Sequence, residues 1–333
     1  MTTTLDRPGG VPATRPGART AAMLAYAALL LVWSWLIGIP NDTVGVILWV
    51  WLGAVAWQVD SRRETSRAFW RDWWVPVALL VVYWFLRGMV DEVALIPVSY
   101  QLPIEIDQWL GGGITPTERL QDAWCGDPCL KTEAPHWYDT FFTTVYASHF
   151  LAALTIAGVL WVRDRAEWVL WIRRFVALNL VGVAIYWLYP MAPPWMAARD
   201  GFMGEVHRIT SRGWAEIDLH RQTMVLFGMG NKSAAMPSLH AGIAFLIVVY
   251  AIWRWRSPWR WLLLLYPLAM STALVYYAEH YVIDILAGAL LAAMVMVGCA
   301  WWERWRLRRL APPIGPIEPA GADLSPPTTS PTG

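Results

Sequence analysis

Met236-Pro237-Ser238-Leu239-His240-Ala241-Gly242 leads into one long apolar run, and Glu279-His280-Tyr281-Val282-Ile283-Asp284-Ile285-Leu286-Ala287-Gly288 leads into another. Each run reads as a membrane helix. His240 and His280 therefore stand at the mouths of two membrane segments, and Asp284 lies inside the second. An ionisable side chain in such a segment is costly and points to function. The rest of the chain reads as a scaffold that brings these groups together.

Working outward, 57% of the 333 residues are hydrophobic and 15% are charged, against about 25% charged in ordinary globular chains. Apolar runs at 21–38, 44–59, 74–90, 141–162, 175–190, 237–253, 259–278 and 281–302 predict eight membrane helices. The expected fold class is an all-α polytopic membrane helix bundle. Residues 1–20 read as a disordered polar leader without a cleavable signal, and 21–73 as two accessory helices. Residues 74–303 read as the main membrane domain, and 304–333 as a basic, then Pro-rich, disordered tail. Membrane lipids are the expected partners and nucleic acid is not. The sequence leaves the oligomeric state open.

The net charge of +1 is uninformative, but the arginines are not evenly spread. They cluster at 7–19, 62–71, 163–174, 254–260 and 304–309. With eight helices these clusters share one side, which the positive-inside rule makes cytoplasmic. Both termini are then cytoplasmic, the protein sits in the inner membrane, and the connections 91–140 and 191–236 lie outside. His240 and His280 then face the extracytoplasmic side.

The first outer connection holds an apolar–acidic stretch around 97–120, suited to lying in the membrane interface. Cys125 and Cys129 follow. Two nearby cysteines outside the cytoplasm are expected to pair as a disulfide. No second Cys pair exists to complete a metal site, Cys299 lying in the last helix.

Pro237-Ser238-x-His240 places a helix start at the membrane surface. Free N–H groups and the positive dipole end suit an anion such as phosphate. Ser238 adds a hydroxyl, and His240 can move a proton there. A plain helix start with a solvated histidine would look the same. His280 and Asp284 are four apart, so on a helix they share one face. The carboxylate can hold one ring nitrogen protonated and aim the other outward. A buried pair tying two helices together is the alternative.

Taken together, Pro237-Ser238-x-His240 and His280-x-x-x-Asp284 resemble the second and third signature motifs of the type 2 phosphatidic acid phosphatase superfamily. The resemblance implies a six-helix lipid-phosphatase-like core and chemistry without metal or cofactor. It implies His280 as the nucleophile that forms a phosphohistidine, His240 as the acid on the leaving oxygen, and Asp284 as the group that orients His280.

Three departures stand out. If Pro190 matches the proline of the superfamily's first motif, Gly182 and Tyr189 stand where Lys and Arg belong. Leu274 stands where the third motif carries Arg. These departures are similar to the inositol phosphorylceramide synthase-like branch. Tyr189-Pro190-x-x-Pro193-Pro194, the run Asp139 to His149, and Asp107-x-x-Leu110-x-Gly112-Gly113 followed by Pro116 resemble it too. The likeness covers roughly 97–295. It leans towards transfer of a phosphoryl group, with phosphoinositol as one candidate, between a lipid phosphate or phospholipid donor and an alcohol acceptor; water would make it a phosphatase.

The phosphate charge must then be met elsewhere. The loop before the sixth helix carries Arg199, Arg208, Arg212, Arg221 and Lys232. Ser238, Lys232, Arg212 and Arg221 are the expected phosphate ligands. Tyr146, His149 and Tyr189 are the expected cavity lining. His136, His207 and His220 read as loop residues. A transporter or flippase would use the same cations without cleaving lipid, but gives no reason for a His–Asp pair beside a second His. An inactive structural homologue is the other rival.

Overall fold

The computed structural model describes residues 16–40, 43–93, 95–126, 129, 134–210, 212–217 and 233–310. The described residues form eleven α-helices: α1 Pro16–Leu36, α2 Thr43–Trp57, α3 Arg62–Val93, α4 Gln101–Gly111, α5 Pro116–Trp124, α6 Trp137–Arg163, α7 Arg165–Leu188, α8 Pro194–Arg199, α9 Leu239–Arg254, α10 Leu265–Tyr276 and α11 Val282–Leu310. Among these residues there is no strand, only isolated bridges at Ser99–Met191 and Met191–Ala234. The all-α membrane bundle is what the long apolar runs predicted.

The helix boundaries differ from that reading where charged residues belong to helices rather than loops. Helix α3 is continuous from Arg62, because its basic first turns still pack Phe69 and Trp73, both fully buried, into the core. Helices α6 and α7 meet at Asp164 alone. Its side chain accepts from Glu167 N–H at 3.0 Å and caps α7. Arg173 and Arg174 therefore lie inside α7. Arg174 is fully buried and makes two bonds to Glu303 of α11, at 2.9 and 3.0 Å. The expected leader also ends early, since α1 begins at Pro16; residues 1–15 and 311–333 lie outside the described residues.

Four helices (within α1, α3, α7 and α11) are long and apolar enough to cross a membrane, and α6 joins them as a pair bent by 49° at His149–Leu151. Helices α2 and α9 are shorter apolar helices. The expected span 259–278 becomes a 3-10 turn, Pro258–Leu264, followed by the 12-residue α10. At 1.5 Å per residue α10 is about 18 Å long, short of the ~30 Å hydrocarbon layer. The count of eight full spans is therefore not what helix length alone gives.

Two small residues set a close helix contact. A Cβ on Gly288 of α11 would fall 2.3 Å from Ser238 O and 3.1 Å from Gly242 N, and one on Gly242 would fall 3.2 Å from Gly288 O. Small residues let helix backbones approach this closely. This contact holds the start of α9 against the start of α11. The interfacial segment becomes two helices, α4 and α5. Gly112, at φ +70°, ends α4, and a capping box between Thr115 and Glu118 starts α5.

Candidate active site

Six helix ends converge at one end of the bundle: the C-terminal ends of α3, α7 and α10 and the N-terminal ends of α6, α9 and α11. Ser238 caps α9, its hydroxyl oxygen accepting from Ala241 N–H at 3.3 Å. Pro237 stands before the cap, and its carbonyl accepts from Tyr186 O–H at 2.9 Å. His240 is thus the second residue of α9. Its ring stacks on Tyr146 (centroids 5.1 Å) and packs on His149 (4.2 Å), both from α6.

His280 is not on a helix. It precedes α11, in the turn that follows α10. The Glu279 and His280 N–H groups both donate to Leu274 O. Asp284, in the first turn of α11, reaches back over the turn. Its Oδ2 accepts from Tyr281 N–H at 2.9 Å and lies 3.4 Å from His280 Nδ1. The expected pairing forms, but through an N-terminal capping geometry rather than a shared helix face. Asp284 is fully buried and His280 is 5% exposed. The His240 and His280 rings are 5.7 Å apart. Ser238 N–H donates to Asp284 O at 3.0 Å, so the two motifs are bonded backbone to backbone.

Asp107 of α4 braces the same helix start. It is fully buried and accepts from Val282 N–H at 3.0 Å and Ile283 N–H at 3.3 Å. Burial pushes its carboxyl up to about 6, against the two N–H bonds that favour the charged form.

The three positions that lack the superfamily's cations are occupied. A Cβ on Gly182 would lie 2.6 Å from Leu239 Cδ2, which leaves a longer side chain nowhere to go without displacing Leu239. Leu274 is fully buried among Ala241, Ala244 and Met270. Tyr189 bonds Ser99 through its hydroxyl at 3.0 Å.

Of the expected phosphate ligands, Arg212 is corrected. It is 1% exposed, 3.4 Å from Asp139, and bonded to Cys125 Sγ and Ala134 O. Its charge is spent on the buried Asp139 carboxylate at the start of α6, which also accepts from Tyr276 O–H at 2.8 Å. Cys125 and Cys129 are bridged beside it. Lys232, Arg221 and His220 lie outside the described residues. His136 and His207 are surface-loop side chains near Asp139 and Glu205. Among the described residues no cluster of His, Cys, Asp and Glu could hold a metal ion.

Two arginines outside the expected ligand set bear on the site. Arg208 bonds Glu279, the neighbour of His280, at 2.6 Å. Arg87 of α3 acts electrostatically on Tyr146, His149 and His240. Its signal was present in the sequence: it is a lone cation in the apolar run 74–90.

A family model described as the PAP2 superfamily matches residues 127–298. The chain belongs to the PAP2 superfamily. It is similar to a phosphoinositol dihydroceramide synthase of Bacteroides thetaiotaomicron, at 29% identity over 48% of this chain and 56% of that one. It is similar to an inositol phosphorylceramide synthase of Candida albicans at 32% identity over 36% of this chain and 27% of that one. An inositol phosphorylceramide synthase catalytic subunit of Saccharomyces cerevisiae is 27% identical over 69% of this chain and 56% of that one. The chain thus spans little more than half the length of these relatives, or less. No solved structure matches it.

Proposed function

We propose that this PAP2 chain is a membrane-embedded lipid phosphotransferase that works through a phosphohistidine, at the extracytoplasmic face. The observation that carries this reading is the opposition of His240 and His280, with Asp284 on Nδ1 of the latter. Asp284 fixes the tautomer in which Nδ1 carries hydrogen. The lone pair is then on Nε2, free to attack phosphorus.

In the first half-reaction Nε2 of His280 forms a bond to phosphorus as the P–O bond to the leaving alcohol breaks. His240 gives that oxygen a proton. In the second, His240 takes the proton from an incoming hydroxyl, whose oxygen bonds phosphorus as the P–N bond breaks. His280 returns neutral. Protons and charge balance on these side chains, and turnover is expected to persist in chelator. The names of the relatives favour a lipid alcohol such as ceramide over water as acceptor, and a phosphoinositol group as cargo.

Purified protein incubated in chelator with phosphatidic acid or an inositol phospholipid, with and without ceramide or diacylglycerol, tests this. The expected result is a new phospholipid that depends on the added acceptor. Free phosphate alone would make the protein a phosphatase; no product from any pair would end the reading.

A further inference from the structure

The missing motif cations leave a problem of charge. A phosphate seated between His240 and His280 lies beside Glu279 and Asp284. Without a nearby positive group these carboxylates repel it. Ser238 contributes a hydroxyl but no charge, and Arg212 is committed to Asp139.

Arg208 is the residue whose geometry answers this. Its Nε donates to Glu279, the residue before His280, at 2.6 Å, and its charge also acts on Tyr146, the ring stacked on His240. It thus bears on the surroundings of both histidines at once. Its guanidinium lies 5.4 Å from the Trp195 ring centroid, while its side chain is 47% exposed. Its guanidinium can thus be reached by a ligand, which those of the covered Arg174 and Arg212 cannot. Its backbone is held firmly. Gln121 of α5 accepts from His207 N–H at 2.9 Å and donates to His207 O at 2.7 Å and to Tyr276 O at 2.9 Å. This fixes the neighbouring residue against the end of α10, one turn from His280. Arg87 adds a second positive charge from α3.

We propose that Arg208 is the phosphate-binding cation of this chain, held ready by Glu279 and transferred to the substrate phosphate on binding. Its planar fork suits two phosphate oxygens. Glu279 is then a positioning residue that competes with phosphate for the same guanidinium. The inference rests on the phosphotransfer reading above and adds the residue that recognises the anion.

The test is inorganic phosphate binding by calorimetry to the detergent-purified full chain, alongside turnover and thermal stability. Arg208→Ala should weaken phosphate binding and lower kcat/KM by at least about 10-fold, the range of a hydrogen bond to a charged group. Arg208→Lys should recover part of the loss. Glu279→Gln should tighten phosphate binding, because it removes the competitor. If the pair is only structural, Arg208→Ala and Glu279→Gln will both lower stability and neither will change phosphate affinity, which overturns the proposal. Should the Ala variant fail to fold, Arg208→Lys and Arg208→Gln carry the same comparison. If wild type turns over and the arginine variants bind phosphate normally, this inference alone fails. If wild type binds phosphate through Arg208 without turnover, the transfer reading fails and the anion site stands. If wild type neither turns over nor binds phosphate, both fall.

Discussion

Asp284 meets one ring nitrogen of His280 besides the Tyr281 N–H, and the proposed mechanism depends on that contact. In that mechanism its carboxylate selects the tautomer of His280 and supports positive charge on the ring as the P–N bond forms. Asn is nearly isosteric, so Asp284→Asn should insert and keep the Tyr281 N–H bond through its amide oxygen. It carries no negative charge to support the imidazolium, and only a flipped amide, which would give up the Tyr281 bond, would present its N–H to Nδ1 and favour the wrong tautomer. The corresponding change in a serine-protease triad costs about 10⁴ in rate, so turnover here should fall by at least ~100-fold. His280→Ala should abolish it, and adding Asp284→Asn should cost almost nothing more, since the two act as a unit. Rapid-quench trapping of labelled phosphohistidine checks the assignment directly. Retained turnover with a lower melting temperature would make the pair structural and remove His280 as nucleophile.

At the scale of elements, the starts of α9 and α11 must stay in register for His240 to face His280. Gly288→Ala forces a Cβ to within 2.3 Å of the Ser238 carbonyl. Backbone cannot yield there without moving His240. A displacement near 1 Å can cost about 10² in rate, so kcat should fall by about that factor. Gly242→Ala, with 3.2 Å to a carbonyl, should be the milder change, and the reverse order would show that the contact does not set the site. The start of α11 also depends on Asp107, which predicts a pH effect. Its folded pKa, about 6, lies above the ordinary 3.8. The folded state therefore holds the proton longer than the unfolded one. The stability this contributes is complete below pH 3.8 and is lost as pH rises through about 6. Thermal melts in detergent should show a drop across that window in wild type and a smaller one in Asp107→Asn; equal slopes would mean that Asp107 does not titrate there. Much of this was legible in the sequence. The two motifs, the missing cations and the helical class follow from residue type and spacing. Arg212 was misread because its partner, Asp139, is 73 positions away and only the fold brings them together. The spacing of four between His280 and Asp284 was read as a shared helix face because it fits a capping turn equally well.

For the whole molecule, the distribution of charge along the bundle decides which way it faces. The end opposite the histidines is tied by arginine pairs: Arg165 of α7 to Asp72 of α3, Arg173 and Arg174 of α7 to Glu303 of α11, and Arg254 of α9 to Glu167 of α7 at 2.7 Å. These pairs show that clusters separated in sequence meet at one end in space. Their carboxylates neutralise part of the charge, but orientation follows the Lys and Arg count rather than net charge. Arg62, Arg63, Arg67, Arg71, Arg163, Arg256, Arg304, Arg306, Arg308 and Arg309 belong to the same clusters, far more than the short flanks at the histidine end carry. The arginine end should therefore be cytoplasmic, with Arg208 and the histidine pair outside. Single cysteines test this in a Cys299→Ser background that keeps the Cys125–Cys129 bridge. Glu205→Cys, at a site 83% exposed by its side chain, should react with a membrane-impermeant maleimide on intact cells. Leu307→Cys, 71% exposed in the last turns of α11, should react only after the membrane is opened. The opposite pattern would turn the molecule over, moving the lipid headgroups it meets to the cytoplasmic leaflet while leaving the chemistry of the histidines unchanged.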